Sequence, residues 1–141
     1  MKVGNIKLRH VGQQLISRPQ GRMKSFFAQE YFQSHIIIWL LILSSVANAI
    51  NWAILKIWIQ PVDFPIILHY NVYFGVDLIG DYEQIYVLPL IGFILFLINM
   101  VLSMYFYGQK ERIASYILMI ASLMIQLSLI VASTSIILIN Y

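Results

Sequence analysis

The apolar positions of the chain fall into three long runs separated by more polar stretches. The first extends from about His35 to Ile59, the second from about Ile85 to Tyr107, and the third from about Ile113 to Asn140. At 1.5 Å rise per residue, even the shortest covers about 35 Å, enough for the hydrocarbon core of a bilayer. The pattern predicts an all-α membrane protein with three transmembrane helices, an N-terminal interfacial helix and a structured extracytoplasmic loop. Residues 1–34 read as a basic cytoplasmic segment and 35–141 as the three-helix transmembrane domain.

The ends of the runs carry their own signals. Lys56 is the sole charge in the first run and lies close enough to its end to snorkel towards headgroups. Trp52 and Trp58 suit one interface, and Phe26, Phe27, Tyr31 and Phe32 the other. Asp81 stands where an N-cap of the second helix would fall, with Gln84 three residues on completing a capping-box pattern. Pro89 lies in the early turns, where it kinks a helix without breaking it. Tyr105, Phe106 and Tyr107 mark the second helix's far end.

Composition reinforces the membrane reading: 60% of residues are hydrophobic and only 11% charged, where soluble domains carry about 25% charge. The charges are also segregated. Six basic residues (Lys2, Lys7, Arg9, Arg18, Arg22, Lys24) precede the first run, and Lys110 and Arg112 lie in the short second loop. The loop from Gln60 to Gln84 has no Lys or Arg but holds Asp63, Asp77, Asp81 and Glu83. By the positive-inside rule the N-terminus and second loop are cytoplasmic, and the first loop and C-terminus extracytoplasmic, as in a bacterial plasma membrane. This explains the basic N-terminus better than a nucleic-acid-binding arm does. Ala47-Asn48-Ala49 matches a small-x-small cleavage pattern. The long lead-in and the apolar continuation through Ile59 nevertheless make the first run an uncleaved anchor. Met23, Phe26, Phe27 and Tyr31, with Arg22 and Lys24 beside them, form the expected interfacial amphipathic helix.

The first loop is longer than a connection requires and too apolar for disorder. Ile66–Phe74 favours a short extended segment, with Gly75 and Gly80 supplying turns, folded back so that Ile67, Tyr70 and Phe74 are buried. Its candidate recognition residues are His69, Tyr70, Asn71 and Asp77. Pro65, His69-Tyr70-Asn71, Gly75, Asp77 and Gly80, followed by a span opening with Pro89, resemble the motif of a bacterial membrane family of unknown function. That family includes the SDP-toxin immunity protein. Pro65 stands four residues before His69 where the motif has two, and Gly75 and Asp77 are closer together than in the motif. The resemblance covers about 30 residues. It implies a small envelope protein with an immunity or signalling role; it does not imply an enzyme.

Polar and small residues inside the runs form stripes suited to close helix contact. Ser44, Asn48 and Asn51 share one face of the first span, with Ser45, Ala49 and Ala53 on an adjacent ridge. Gly92, Asn99 and Ser103 mark the second span, and Ala114, Ala121, Ser128 and Ser135 recur every seven residues in the third. Such stripes serve packing within a three-helix bundle or contact with a partner protein. A permeation path lacks an acid or histidine at mid-membrane.

Chemistry is poorly represented. There is no cysteine, which removes thiol catalysis and Cys-ligated metal centres. The outer loop has a single histidine, so a metal site there has no spacing to enforce it. The serines sit in the spans without a histidine at that depth, and the seven glycines are too scattered for a phosphate-binding loop. The sequence predicts no catalytic, cofactor-binding or metal residues. Its expected partners are the lipid bilayer and either a membrane protein or further copies of itself. Three roles fit: a non-enzymatic accessory or interaction subunit, a stand-alone envelope immunity or sensing protein, or a small homo-oligomeric transporter or channel.

Overall fold

The computed structural model describes residues 30–140 and divides the chain into two units, Met1–Ser34 and His35–Tyr141. Of the first unit, the described part is a 3₁₀ turn, Glu30–Gln33. The interfacial helix expected from Arg22 onward therefore lies mostly outside the described residues. The second unit contains helix α1 (His35–Trp58), a hairpin of strands β1 (Ile66–Asn71) and β2 (Gly75–Gly80), a 3₁₀ turn (Tyr82–Tyr86), and helices α2 (Val87–Gly108) and α3 (Arg112–Asn140). All three helices are long and apolar enough to cross a membrane.

Each helix turns a narrow stripe inward. In α1 the buried positions are Ile37, Ser44, Ala47, Asn48, Asn51 and Leu55. In α3 they are Ser115, Met119, Ser122, Gln126, Ser133 and Ile137. Both sets recur at threes, fours and sevens, the spacing of one helical face. The stripes are unusually polar, and the large apolar side chains mostly point outward: Trp39, Ile57, Ile113, Val131 and Leu138 are all well exposed. Helices that could cross a membrane would show this inversion. Lipid tails are as apolar as leucine, so burial against protein is reserved for small side chains and for polar groups that need partners.

Helix α3 is the centre of the unit: it packs along both α1 and α2, which meet each other over a shorter stretch. Gln126 of α3 contacts Asn48 of α1, and Ile137 clusters with Leu55 and Ile59, so α1 and α3 run parallel. Gln126 also contacts Gly92, while Ser115 contacts Ser103, so α2 runs antiparallel to α3. At the hairpin end, Leu55, Ile59, Ile85 and Ile137 close a small apolar core. Trp52 stacks on Tyr86 there, with ring centroids 5.7 Å apart.

The α2–α3 connection is a Schellman turn. Lys110 adopts φ 67°, its N–H donates to Tyr107 O, and Glu111 N–H donates to Phe106 O, which satisfies two carbonyls at the helix end. At the other end of α2 the structure corrects the expected cap. Asp81 occupies the cap position but its side chain makes no capping bond; a 3₁₀ turn follows it, and α2 proper begins at Val87. Pro89 thus falls in the first turn, where no intrahelical N–H bond is required.

Candidate functional site

Two places collect polar side chains. The first lies inside the bundle, where all three helices cross. Asn48 Nδ2 donates to Pro89 O at 2.9 Å and to Gln126 Oε1 at 3.0 Å. Gln126 Nε2 in turn donates to Gly92 O at 2.7 Å. Gln126 is fully buried and Asn48 nearly so. Gly92 permits the crossing. A Cβ there would lie 2.6 Å from Leu129 Cδ1, 2.9 Å from Gln126 Oε1 and 3.2 Å from Asn48 Nδ2. Towards the Schellman turn, Ser103 Oγ donates to Ser115 O at 3.0 Å, and the two hydroxyls stand 2.7 Å apart. These links hold the helices together, and none carries a group that titrates near neutrality.

Asn51, one turn from Asn48 on the same face, behaves differently. Its amide is fully buried and neither its oxygen nor its nitrogen has a hydrogen-bond partner among the described residues. A buried amide without partners is destabilising by about 1–3 kcal/mol. Leucine at the two positions should therefore have opposite effects. Asn51→Leu is expected to leave stability unchanged or raise it, while Asn48→Leu lowers it by about 1 kcal/mol, within the range of intramembrane hydrogen bonds. Unfolding by SDS in mixed micelles, followed by circular dichroism, measures both. Equal losses in the two variants would contradict the difference in partnering.

The second place is the hairpin. Strands β1 and β2 are antiparallel, with Ile66 opposite Gly80, Ile67 opposite Ile79, His69 opposite Leu78, Tyr70 opposite Val76 and Asn71 opposite Gly75. Leu68 and Asp77 are left without an opposite residue, one bulge on each strand. Bulges re-aim side chains, and here His69 Nδ1 comes to 2.6 Å from Asp77 Oδ1, both groups open to solvent. Asn71 Oδ1 accepts from Tyr73 N at 2.9 Å and begins the turn. Gly75, at φ 79°, completes it in the left-handed region that glycine tolerates. The tip is apolar and bare: Val72, Tyr73 and Phe74 are 84–91% exposed.

The expected extended segment is thus one strand of a hairpin, and its burial differs from expectation. Ile66 is buried and Ile67 and Leu68 half-buried, whereas Tyr70 and Phe74 are exposed. The hairpin turns its base, and not its tip, against the helices. The base is fixed by α3: Asn140 Oδ1 accepts from Ile67 N at 2.8 Å, and Asn140 Nδ2 donates to Ile67 O at 2.7 Å and to Ile136 O at 2.9 Å. The side-chain amide bonds both peptide groups of Ile67, as a neighbouring strand would.

Of the recognition candidates, the hairpin brings His69, Tyr70, Asn71 and Asp77 onto one element, with His69 and Asp77 in direct contact. Of the helix candidates, Asn48, Asn51, Gly92 and Ser103 are inside the bundle and Asn99 is half-buried. Ser45, Ala49 and Ala53 lie on the outer surface of α1. The heptad Ala114, Ala121, Ser128 and Ser135 also misses the interior, since the buried stripe of α3 runs through Ser115, Ser122 and Gln126. Sequence reasoning passed over Gln126, Ser115 and Asn140. Gln126 is the large polar side chain in the middle of the third run, the signal by which the sequence could have revealed it. Among the described residues no three His, Asp or Glu side chains gather as a metal site would require. Neither family models, curated proteins nor solved structures match this chain.

Proposed function

We propose that the chain is an integral membrane protein without enzymatic activity, with a cytoplasmic N-terminus, that binds a membrane partner or further copies of itself. The observation that carries this reading is the division of small residues on α1. Ser44, Asn48 and Asn51 face inward, while the ridge Ser45, Ala49 and Ala53 remains on the outer surface, with Ala121, Ser128 and Ser135 of α3 also outward. Small side chains at four-residue spacing let a second helix approach closely in lipid. Ser135 Oγ donates to Val131 O within its own helix, so such a face is compatible with lipid until a partner arrives.

Ala49→Leu and Ala53→Leu would fill the ridge without touching the interior. Extraction in mild detergent followed by mass spectrometry of whatever co-purifies should show a stoichiometric partner, or a homo-oligomer, with the native chain. The variants should lose it, by about tenfold or more in recovery, the loss of roughly 1–2 kcal/mol of helix packing. A native chain that emerges alone and monomeric would defeat the reading. A second reading, a stand-alone envelope immunity or sensing protein, is favoured by the exposed His69–Asp77 pair and tip. In that case Asn71→Ala or Asp77→Ala abolishes activity while the ridge variants do not.

A further inference from the structure

Between the hairpin and the ends of α2 and α3 lies a half-open cleft of about 340 Å³. Leu68 and Leu78 of the hairpin line one side, and Val87, Leu88 and Ile136 of the helices the other. Gln84 provides its one polar lining side chain. No ionisable group lines it, so a charged or phosphorylated moiety has no counter-charge inside. The volume is near the lower end for small-molecule sites and about twice that of an apolar cavity that accepts a benzene ring. It suits a stretch of hydrocarbon.

The position of the cleft identifies where that hydrocarbon comes from. Val87 opens α2, and Ile136 lies one turn from the end of α3. The cleft is thus at the ends of helices long enough to cross a membrane, where acyl chains begin below their headgroups. The surface beyond it, including Leu90, Ile91, Leu138 and Ile139, is exposed and apolar, so the cleft continues the lipid-facing surface. The charges above it select a headgroup. Asp81 and Glu83 stand beside Gln84 and are exposed, whereas Asp77 is already engaged by His69 Nδ1 at 2.6 Å. No Lys or Arg occurs between Gln60 and Gln84. An anionic headgroup would be repelled there and an amine attracted.

We infer that this cleft binds one acyl chain of an aminophospholipid from the adjacent leaflet, with the headgroup amine held by the Asp81 and Glu83 carboxylates that follow the hairpin. The inference rests on the membrane placement proposed above but not on the partner ridge. Bound to the helix ends in this way, the lipid would brace the hairpin base while the tip stays free.

The test is native mass spectrometry of the full-length chain released from mild detergent, titrated with phosphatidylethanolamine or phosphatidylglycerol. One phosphatidylethanolamine should be retained in preference to phosphatidylglycerol. Leu78→Trp and Val87→Trp, both at exposed positions that tolerate bulk, should weaken retention by about tenfold, equivalent to roughly two methylenes denied burial. The double neutralisation Asp81→Asn and Glu83→Gln should keep retention but remove the preference. Equal binding of both lipids by the native chain overturns the headgroup assignment, and retention unchanged in both tryptophan variants overturns the cleft. A chain that stays in carbonate-washed membranes yet retains no lipid defeats this inference alone. A chain released by the wash defeats the membrane reading itself. Partner recovery should be unaffected by Leu78→Trp.

Discussion

Replacing Gly92 by leucine is expected to destabilise the bundle by about 3 kcal/mol or more, and Gly92→Ala by about 1–2 kcal/mol, the range for overpacking a tight core. Of the three atoms that a Cβ would meet, Leu129 Cδ1 ends a flexible side chain and can move aside. The Gln126 and Asn48 amides cannot, because Asn48 Nδ2 donates to Gln126 Oε1 and Pro89 O, and Gln126 Nε2 donates to Gly92 O. Displacing either amide leaves buried polar atoms without partners where no water competes for them. Alanine is the better helix former by about 1 kcal/mol, so any net loss in Gly92→Ala understates the strain. Gly108→Ala is the control, since nothing lies within 4 Å of its Cβ position. Titration with SDS in mixed micelles, read by circular dichroism, should separate the two. If both alanine variants unfold at the same SDS fraction, the helices do not cross as closely as Gly92 implies.

The long-range plan of the chain was legible because hydrophobic length is a strong signal. The three helices begin and end within two residues of the runs read from the sequence. Which face of each helix turns inward was less legible, for a physical reason. In water the apolar face of a helix goes inside, and periodicity reveals it. For helices apolar enough to cross a membrane both environments would be apolar, so the informative residues are the few polar ones. Ser44, Asn48 and Asn51 were visible on that basis. In α3 small size was read in place of polarity, which selected Ala114 and Ser128 and missed Ser115 and Gln126, one and two residues away on the helix but on the buried face.

The hairpin was half legible. Gly75 announced its turn, but β2 offers only four residues between two glycines, with Asp77 in their midst. That interruption disguises a strand, and it is also the bulge that brings the carboxylate to His69. The burial of Tyr70 and Phe74 was inferred from hydrophobicity alone. What overrode it is the register fixed by Asn140: with Ile67 bound edge-on to α3, the tip lies four or more residues from the helices, about 13 Å along a strand. No sequence pattern ties residue 67 to residue 140.

That tie gives the second large expected effect. Asn140→Leu should release the hairpin from the bundle while leaving the helices assembled. The substitution removes the acceptor for Ile67 N and the donor for Ile67 O together, and exposes to apolar surroundings a peptide unit that β2 does not bond on that side. Two lost hydrogen bonds correspond to about 1–3 kcal/mol, or roughly a tenfold to hundredfold rise in the exchange rate of the Ile67 amide if local opening governs it. Hydrogen exchange with mass spectrometry should show that rise across peptides covering Ile66–Gly80, and no change in the middle of α1 or α3. Asn140→Asp adds a sharper comparison. It keeps an acceptor for Ile67 N but turns a carboxylate towards Ile67 O and Ile136 O, which Asn140 Nδ2 now serves. Facing two carbonyls with a negative charge should loosen the hairpin as much as leucine does, although the change is nearly isosteric. If aspartate holds the hairpin as well as asparagine does, the N–H bond alone fixes it and the two-sided clamp is not what positions the strand. If neither variant raises exchange, the apolar contacts of Ile66 and Leu68 hold the base without Asn140.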